Sequence, residues 1–452
     1  MIIFFSLIMI YCFITFYFSS HFYLHTKINE MDVSLKAFKA ADEIALKYEK
    51  AYQLEISDRD GDAETITGVE AGITYAGKQQ IAKIYRKQNA FLWIKGIWKQ
   101  HTYEIKDLYE YDPMKLDQRI QSLRCINRAM MPPKNVSFQY SNGSYSIISE
   151  VMGNKLLPDK LEEAVRNSIT RGGLQLNLEE AECYEKPRFI RNSEKTQQTQ
   201  KLLNQYVSTK IIYNFGTQKE ILDGNIIHEW LRVDDDLEVA LDQDAVKHYV
   251  YTLSKKYDTV GITRKFKAST GKIVEVHGGL YGWKIDRIEE TNTLLQDIQR
   301  GQVLEKEPVY LQKALARGED EIGNSYVEIN ITRQHLWCYK DGKLITQGPV
   351  VTGNPNRGNA TVVGTYMLNY KQKDAELVGP NYESKVTYWM PFFGNIGLHD
   401  ASWRYSFGGK IYLRNGSHGC INAPKFLAEI VFENIEAGTP IICYEEEDNT
   451  KK

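Results

Sequence analysis

The chain has 452 residues, with 56 Lys and Arg against 58 Asp and Glu, and a formal net charge of −2. That length predicts two to four domains rather than one. The near-neutral balance excludes the global basic field of a nucleic-acid binder, and 42% apolar with 25% charged residues is the composition of a globular protein.

Residues 2–18 carry no charge and are mostly Ile, Phe, Leu, Met and Tyr. The uncharged stretch continues through Ser19, Ser20 and Phe22 to Leu24. A membrane span needs about 20 such residues, so residues 1–25 are predicted to be a transmembrane helix. No small-x-small cleavage site follows, which favours an anchor over a signal peptide. No Lys or Arg precedes the span, so charge does not orient it. From Asn29 to Tyr52, Val33, Leu35, Phe38, Ala41, Ile44, Ala45 and Tyr48 recur at helical spacing, predicting a stalk. Residues 66–85 show short apolar runs between Gly68, Gly72 and Gly77, the pattern of strands and turns.

An internal repeat follows. Phe138 to Gly143 reads FQYSNG, and Phe266 to Gly271 reads FKASTG. Gly153 and Gly172 bracket an amphipathic helix with Leu156, Leu161, Ala164, Val165 and Ile169. Gly282 and Gly301 bracket another with Ile285, Ile288, Leu294, Leu295 and Ile298. Each closing glycine suits a left-handed helix cap. A further helix precedes each unit, near Met114–Leu123 and Val246–Leu253. Two copies of one α+β module account for this, the first with the stalk over 26–190 and the second over 201–312. The charged, Gln- and Thr-rich residues 186–200 are predicted to be the linker.

The second copy carries Gly278-Gly279-Leu280-Tyr281-Gly282-Trp283. It resembles the peptidoglycan-binding module that often precedes L,D-transpeptidase domains in Gram-positive bacteria. The first copy has Met152-Gly153-Asn154 there, without the Tyr and Trp. Trp283 is either a ligand contact or a core residue, and the modules either bind peptidoglycan or space the enzyme from the membrane.

The third domain is predicted over 325–445. Tyr326 to Ile331 alternates with period two, as a half-buried strand does. His335 to Lys340 is the next strand, Lys340-Asp341-Gly342-Lys343 a hairpin turn, and Leu344 to Val351 the returning strand. Gly364 to Leu368 is a further strand. Residues 371–385, with Gly379-Pro380 at the middle, read as a long polar loop, and a loop of that length is usually functional. Tyr388 and Trp389 bring aromatic surface into the region. Ile411 to Leu413 is predicted to be a strand, Phe426 to Ile435 a helix, and Ile441 to Tyr444 the last strand. The domain is therefore mostly β.

The chemistry concentrates in Ser417-His418-Gly419-Cys420-Ile421-Asn422, with Gly397-Leu398-His399-Asp400 upstream and seventeen residues between His399 and Ser417. A thiolate is the reactive form of cysteine, and a nearby imidazole can take its proton and hold it as an ion pair. Gly419 leaves the backbone beside the sulfur open, so that neighbouring N–H groups reach a developing oxyanion. The pattern therefore points to acyl transfer through a thioester. His418, two residues from Cys420, shares a face with it in an extended chain. His399, on a separate strand, is better placed to be oriented by a third group.

The constellation resembles the L,D-transpeptidase catalytic domain of the YkuD type, at every position of its signature. The resemblance implies a β-sandwich-like fold with Cys420 as nucleophile and His399 as base. It implies that a carbonyl at Asp400 orients the imidazole, and that residues 371–385 form a flap over the cleft. His418, Gly419 and Cys420 would supply oxyanion donors, Ser417 and Asn422 would hold the loop's shape, and Arg414 would meet a substrate carboxylate. The implied reaction joins peptidoglycan stem peptides by 3→3 crosslinks with release of D-alanine, needs no metal or organic cofactor, and is open to acylation by carbapenems. Water as acceptor would make the site an L,D-carboxypeptidase, and a decayed site would leave a wall-binding protein. A papain-like protease places Cys before His, the reverse of the order here. Partners are then the stem peptides and glycan strands, and the membrane through the N-terminal helix. The location implied is a single-pass cell-membrane protein with its catalytic domain on the cell-wall side.

Of six cysteines, Cys12 lies in the predicted span and Cys420 must remain free. Cys125, Cys183, Cys338 and Cys443 show no CxxC pairing, so zinc is unsupported. A Cys125–Cys183 disulfide and unpaired buried thiols both remain open.

Overall fold

The computed structural model describes residues 2–318, 321–379 and 382–446. It divides into two compact units, Met1–Gln139 with Ile147–Gln197, and Tyr140–Ser146 with Gln198–Lys452.

The N-terminal reading needs correction. The apolar helix runs Ile2–Phe18, 17 residues, which at 1.5 Å per residue rises roughly 25 Å, short of the ~30 Å hydrocarbon core. The uncharged sequence beyond it does not extend the helix. Ser19 and Ser20 turn the chain, and Phe22 and Tyr23 are buried, at 1% and 6% exposure. Among the described residues no helix is long and apolar enough to cross a membrane. The transmembrane anchor, the membrane as partner and the single-pass membrane location are accordingly withdrawn. The stalk is corrected too: Phe38–Ala51 is a helix whose Ala41 and Ala45 are fully buried in the first unit's core.

The two copies of the repeat share one topology. In the first, Gln53–Ser57 is the central strand, parallel to Gln175–Asn177 and antiparallel to Ala63–Thr67. In the second, Lys210–Phe215 is central, parallel to Val303–Lys306 and antiparallel to Gln218–Leu222. Each copy has its long helix, Pro158–Arg171 and Arg287–Arg300. The helices end on Gly172 (φ 72°) and Gly301 (φ 66°), in the left-handed conformation that glycine adopts without strain. Leu161, Val165 and Ile169 recur every four residues on one buried face. The predicted linker is partly helix, Glu194–Val207. Its polar composition hides an inward face of Thr196, Thr199 and Leu203.

Trp283 is a core residue. It is 7% exposed, donates from Nε1 to the Ala316 carbonyl at 3.1 Å, and lies under the Arg317 guanidinium at 3.6 Å. Tyr281 is fully buried. All six cysteines are free, Cys125 and Cys183 included.

The C-terminal domain has two sheets. Strands β1 (Tyr326–Asn330), β2 (His335–Lys340), β3 (Lys343–Pro349), β4 (Gly364–Met367), β5 (Gln372–Gly379), β6 (Tyr382–Phe393), β7 (Ile396–Asp400), β8 (Ile421–Ala423) and β9 (Pro440–Tyr444) follow in chain order. The first sheet has the order β3-β2-β1-β9-β4, the second β5-β6-β7-β8. Inward residues of both sheets, such as Ile329, Leu336, Met390 and Leu398, share one core with Leu427, Ala428 and Val431 of helix Lys425–Asn434. Two local predictions fail here. Residues 371–385 are mostly strand: β5 and β6 pair as a long hairpin from Gln372↔Trp389 to Gly379↔Tyr382. Pro380 lies outside the described residues. Ile411–Asn415 is a short helix instead of a strand.

Candidate active site

Strand β7 lies between β6 and β8, antiparallel to the first and parallel to the second. The register sets Leu398 beside Ile421 and His399 beside Asn422, with Trp389 across from His399 on the other side. Cys420 is the residue before β8, so the chain brings sulfur and imidazole to neighbouring strands. His399 is 4% exposed and Cys420 9%.

The nucleophile loop is held by a buried polar scaffold. Ser417 donates its N–H to Thr352 O at 3.0 Å, and Asn354 N–H donates to Ser417 O at 3.0 Å. Ser417 Oγ donates to Cys420 O at 2.5 Å and accepts from the Gly419 N–H at 3.1 Å. Thr361 Oγ1 donates to Gly419 O at 2.7 Å and accepts from Gly353 N–H at 2.8 Å. Behind them, buried Gln334 accepts from Thr352 N–H at 2.9 Å and meets its hydroxyl at 2.6 Å. Space forces two glycines. A Cβ on Gly353 would sit 1.9 Å from Asn359 O and 2.8 Å from Gly419 Cα. Gly419 itself has φ +122°, strained for any L side chain.

His399 Nδ1 lies 2.8 Å from the Asp400 carbonyl. A carbonyl only accepts, so Nδ1 carries the proton and the lone pair of the neutral ring is on Nε2. The Asp400 carboxylate is engaged elsewhere: Oδ1 accepts the N–H groups of Thr387 and Tyr388, both at 2.8 Å. Cys420 Sγ donates to Asn395 O at 3.5 Å. Burial raises the Cys420 thiol above its ordinary pKa, partly offset by the Gly397 backbone. Burial lowers His399, opposed by its bond to the Asp400 backbone, while the Arg404 charge adds to the lowering. Both shifts favour the neutral forms, so burial works against the thiolate–imidazolium ion pair expected from sequence.

The other predicted residues divide. Trp389 flanks His399, with ring centroids 5.8 Å apart, and packs with Cys420, Ala375 and Val386. Tyr388 points to the opposite side, where its hydroxyl donates to Glu429 at 2.5 Å and its ring meets Phe432, so it is part of the core and not of the cleft. Asn422 is buried with Oδ1 unpartnered among the described residues. His418 and Arg414 are exposed. The Gly419 N–H is already taken by Ser417, so its use as an oxyanion donor requires that bond to open.

Sequence reasoning missed Thr352, Thr361, Gln334, Trp403 and Arg404. Trp403 lies 5.9 Å from His399, and Arg404 donates to Asn415 O at 2.7 Å, tying the end of β7 to the nucleophile loop. Among the described residues no three His, Cys, Asp or Glu side chains group as metal ligands.

A buried thiol at the start of one strand and a carbonyl-anchored imidazole on the next are the parts of an acyl-transfer centre, and comparison with known proteins identifies the class. Residues 324–443 match the L,D-transpeptidase catalytic domain family. Residues 64–176 and 192–305 each match the family described as putative peptidoglycan binding domain. Among solved structures, the chain is similar to the Ldtfm-avibactam carbamoyl enzyme, at 32% identity over 56% of this chain and 99% of that one, with TM-score 0.45. A cysteine-to-serine mutant of the Enterococcus faecium L,D-transpeptidase matches at 32% identity over 56% of this chain and 100% of that one, TM-score 0.45. The catalytic domain of the E. faecium enzyme acylated by ertapenem matches at 38% identity over 27% of this chain and 98% of that one, TM-score 0.26. No curated protein matches. The chain belongs to the L,D-transpeptidases, with peptidoglycan-binding-type modules ahead of its catalytic domain.

Proposed function

We propose that this transpeptidase forms 3→3 peptidoglycan crosslinks through a thioester on Cys420. The observation that carries this reading is the carbonyl-anchored His399 on β7, the strand beside β8, which Cys420 immediately precedes. In the first step Sγ attacks the carbonyl of the third residue of a donor tetrapeptide stem, and its proton passes to His399 Nε2. The tetrahedral oxyanion is held by backbone N–H groups of the 418–420 loop, that of Cys420 foremost. Collapse expels D-alanine, whose amine takes the proton back from His399. In the second step an acceptor amine attacks the thioester, His399 removes its proton, and the sulfur leaves with that proton. Asn422 and Ser417 hold the loop, Trp389 and Trp403 form walls beside His399, and Arg414 is an outer contact for a stem carboxylate. The catalytic domain is assigned to 325–445 and the modules to 26–190 and 201–312.

Intact mass of the full chain and of Cys420→Ala, after mixing with a disaccharide-tetrapeptide and separately with meropenem, tests this. Adducts on wild type alone, with a substrate dimer formed by loss of one D-alanine, are expected. A tripeptide product without dimer would mean an L,D-carboxypeptidase. No adduct with either compound would leave a non-catalytic wall-binding protein.

A further inference from the structure

The catalytic domain holds a cation beside its base with no anion to match it. Past β7 the chain turns tightly, the Arg404 N–H donating to Ala401 O at 3.0 Å. Trp403 leaves this turn against His399. The Arg404 side chain reaches the nucleophile loop, where Nη1 donates to Asn415 O at 2.7 Å, two residues before Ser417. The guanidinium thus bridges the end of the base's strand and the nucleophile loop. It is half-buried, whereas Arg357, Lys410 and Arg414 around the same loop are exposed. Its charge reaches His399, and burial lowers its own pKa with no carboxylate opposing the shift. Among the described residues no acid pairs with it. Asp400, the acid nearest in the chain, spends Oδ1 on the Thr387 and Tyr388 N–H groups, and its Oδ2 accepts the Ser402 hydroxyl at 3.4 Å. Of the guanidinium nitrogens, Nε is enclosed, while Nη2 is open to solvent and bonds no group among the described residues. An accessible N–H on a partly desolvated guanidinium suits a carboxylate oxygen.

The reaction fixes where such a carboxylate lies. His399 returns its proton to the amine of the departing D-alanine, and that amine and the donor's terminal carboxylate belong to one residue. Across one N–Cα–C unit they are at most about 4 Å apart, which keeps the carboxylate close to the imidazole. We propose that Arg404 is a specificity-determining residue that binds the donor's terminal carboxylate through Nη2, so that acylation favours stems whose fourth residue is the last. A fifth residue or an amide cap removes the negative charge at that point. The proposal rests on the reading of Cys420 as the acyl-transfer nucleophile and states which group of the donor is recognised, and by which side chain. Arg414, at its exposed position, is left for a carboxylate farther along the stem.

A competition assay on the full chain tests this. A disaccharide-tetrapeptide and its carboxamide-ended counterpart are mixed in equal amounts with enzyme, and the D-alanine and D-alaninamide released are quantified by mass spectrometry at early times. Both donors leave the same tripeptide thioester on Cys420, so only the step that forms it differs. The product ratio is the ratio of the two kcat/KM values and does not depend on how much of a variant is folded. Wild type is expected to favour the carboxylate by about tenfold, the worth of one charge-assisted hydrogen bond, and Arg404→Gln is expected to bring the ratio near one. Arg404→Lys keeps the charge and is expected to retain part of the preference. Arg414→Gln is expected to slow both donors alike and leave the ratio where it was. If Arg404 were only a tie to Asn415, its loss would slow both donors equally. A ratio unmoved by Arg404→Gln, a ratio that collapses in Arg414→Gln instead, or equal use of the two donors by wild type would overturn this proposal and leave the acyl-transfer reading standing. Release of neither product by wild type would overturn that reading, and this proposal with it.

Discussion

Burial acts on Cys420 and His399 in the same direction: it raises the thiol and lowers the imidazole. The resting pair is then thiol and neutral imidazole, and the proton moves as the sulfur attacks. The sign follows directly. A lowered His399 stays unprotonated below the ordinary value of about 6.5, and a raised Cys420 stays protonated above about 8.5. Thiolate absorbance near 240 nm, taken as wild type minus Cys420→Ala, is therefore expected only at alkaline pH, and the acid limb of carbapenem acylation below pH ~6.5. Thiolate absorbance at pH ~6 would require an ion pair and refute this. The role of Asp400 is separable in the same way. Its backbone carbonyl orients the imidazole and its carboxylate holds β6. Asp400→Asn keeps a side-chain oxygen for those N–H groups and is expected to slow acylation by less than about tenfold. His399→Ala removes the base and is expected to cost about 10²- to 10⁴-fold. Stopped-flow acylation rates compare the two, and equal losses would make the carboxylate the true orienter.

At the scale of the element, the site depends on a segment that contributes no reacting atom. Residues Thr352 to Asn354 run under the nucleophile loop, and Thr361 joins them to it by one hydroxyl that both accepts and donates. Thr361→Val keeps the shape and leaves Gly353 N–H and Gly419 O without that partner. Each such buried group costs about 1–3 kcal/mol, so urea unfolding is expected to show a loss of roughly 2–4 kcal/mol, with slower acylation, and Thr361→Ser is expected to restore both. Unchanged stability would mean that water replaces the hydroxyl. This segment also marks where sequence reading stops. His399 and Ser417 to Asn422 are legible because the chemistry is written in contiguous residues. Thr352, Thr361 and Gln334 lie 59 to 86 positions before Cys420 in the sequence and meet the loop only through sheet register. The β5–β6 hairpin was masked for a related reason. Its outward Glu376, Glu383 and Lys385 make the stretch look like a loop, while Ala375, Leu377 and Val386 face the thiol. Three consecutive apolar residues, Ile411 to Leu413, look like a strand, yet a helix of 5 residues needs no amphipathic period to form.

At the scale of the second unit, the module and the catalytic domain are built into each other. β4 is the edge of its sheet, and the segment Gly278–Tyr281 continues it: Thr365 N–H donates to Gly278 O at 3.2 Å, and Tyr281 N–H to Thr365 O at 3.0 Å. An unpaired edge strand is a liability that such cover removes. The approach requires glycine, since a Cβ on Gly279 would lie 2.0 Å from Thr365 O at φ +93°. Nearby, buried Glu328 of β1 accepts the Ser269 N–H at 3.0 Å, the Ser269 hydroxyl at 2.5 Å and the Tyr444 hydroxyl at 2.7 Å. Phe266 and Val276 of the module share an apolar cluster with Ile442 and Tyr444 of β9. The Gly-Gly-Leu-Tyr-Gly-Trp run, which resembles a ligand-binding motif in sequence, is spent on this junction, with Tyr281 and Trp283 inside. Gly279→Val is therefore expected to unfold at a clearly lower temperature than wild type, the loss exceeding the 0.5–1 kcal/mol of an ordinary glycine replacement. A double-mutant cycle of Ser269→Ala with Glu328→Gln is expected to give a coupling of about 1–3 kcal/mol, as bonds to a buried charge do. Calorimetric unfolding of the full chain reads both. Additive losses, with Gly279→Val melting like wild type, would mean that the module rests on the catalytic domain without stabilising it.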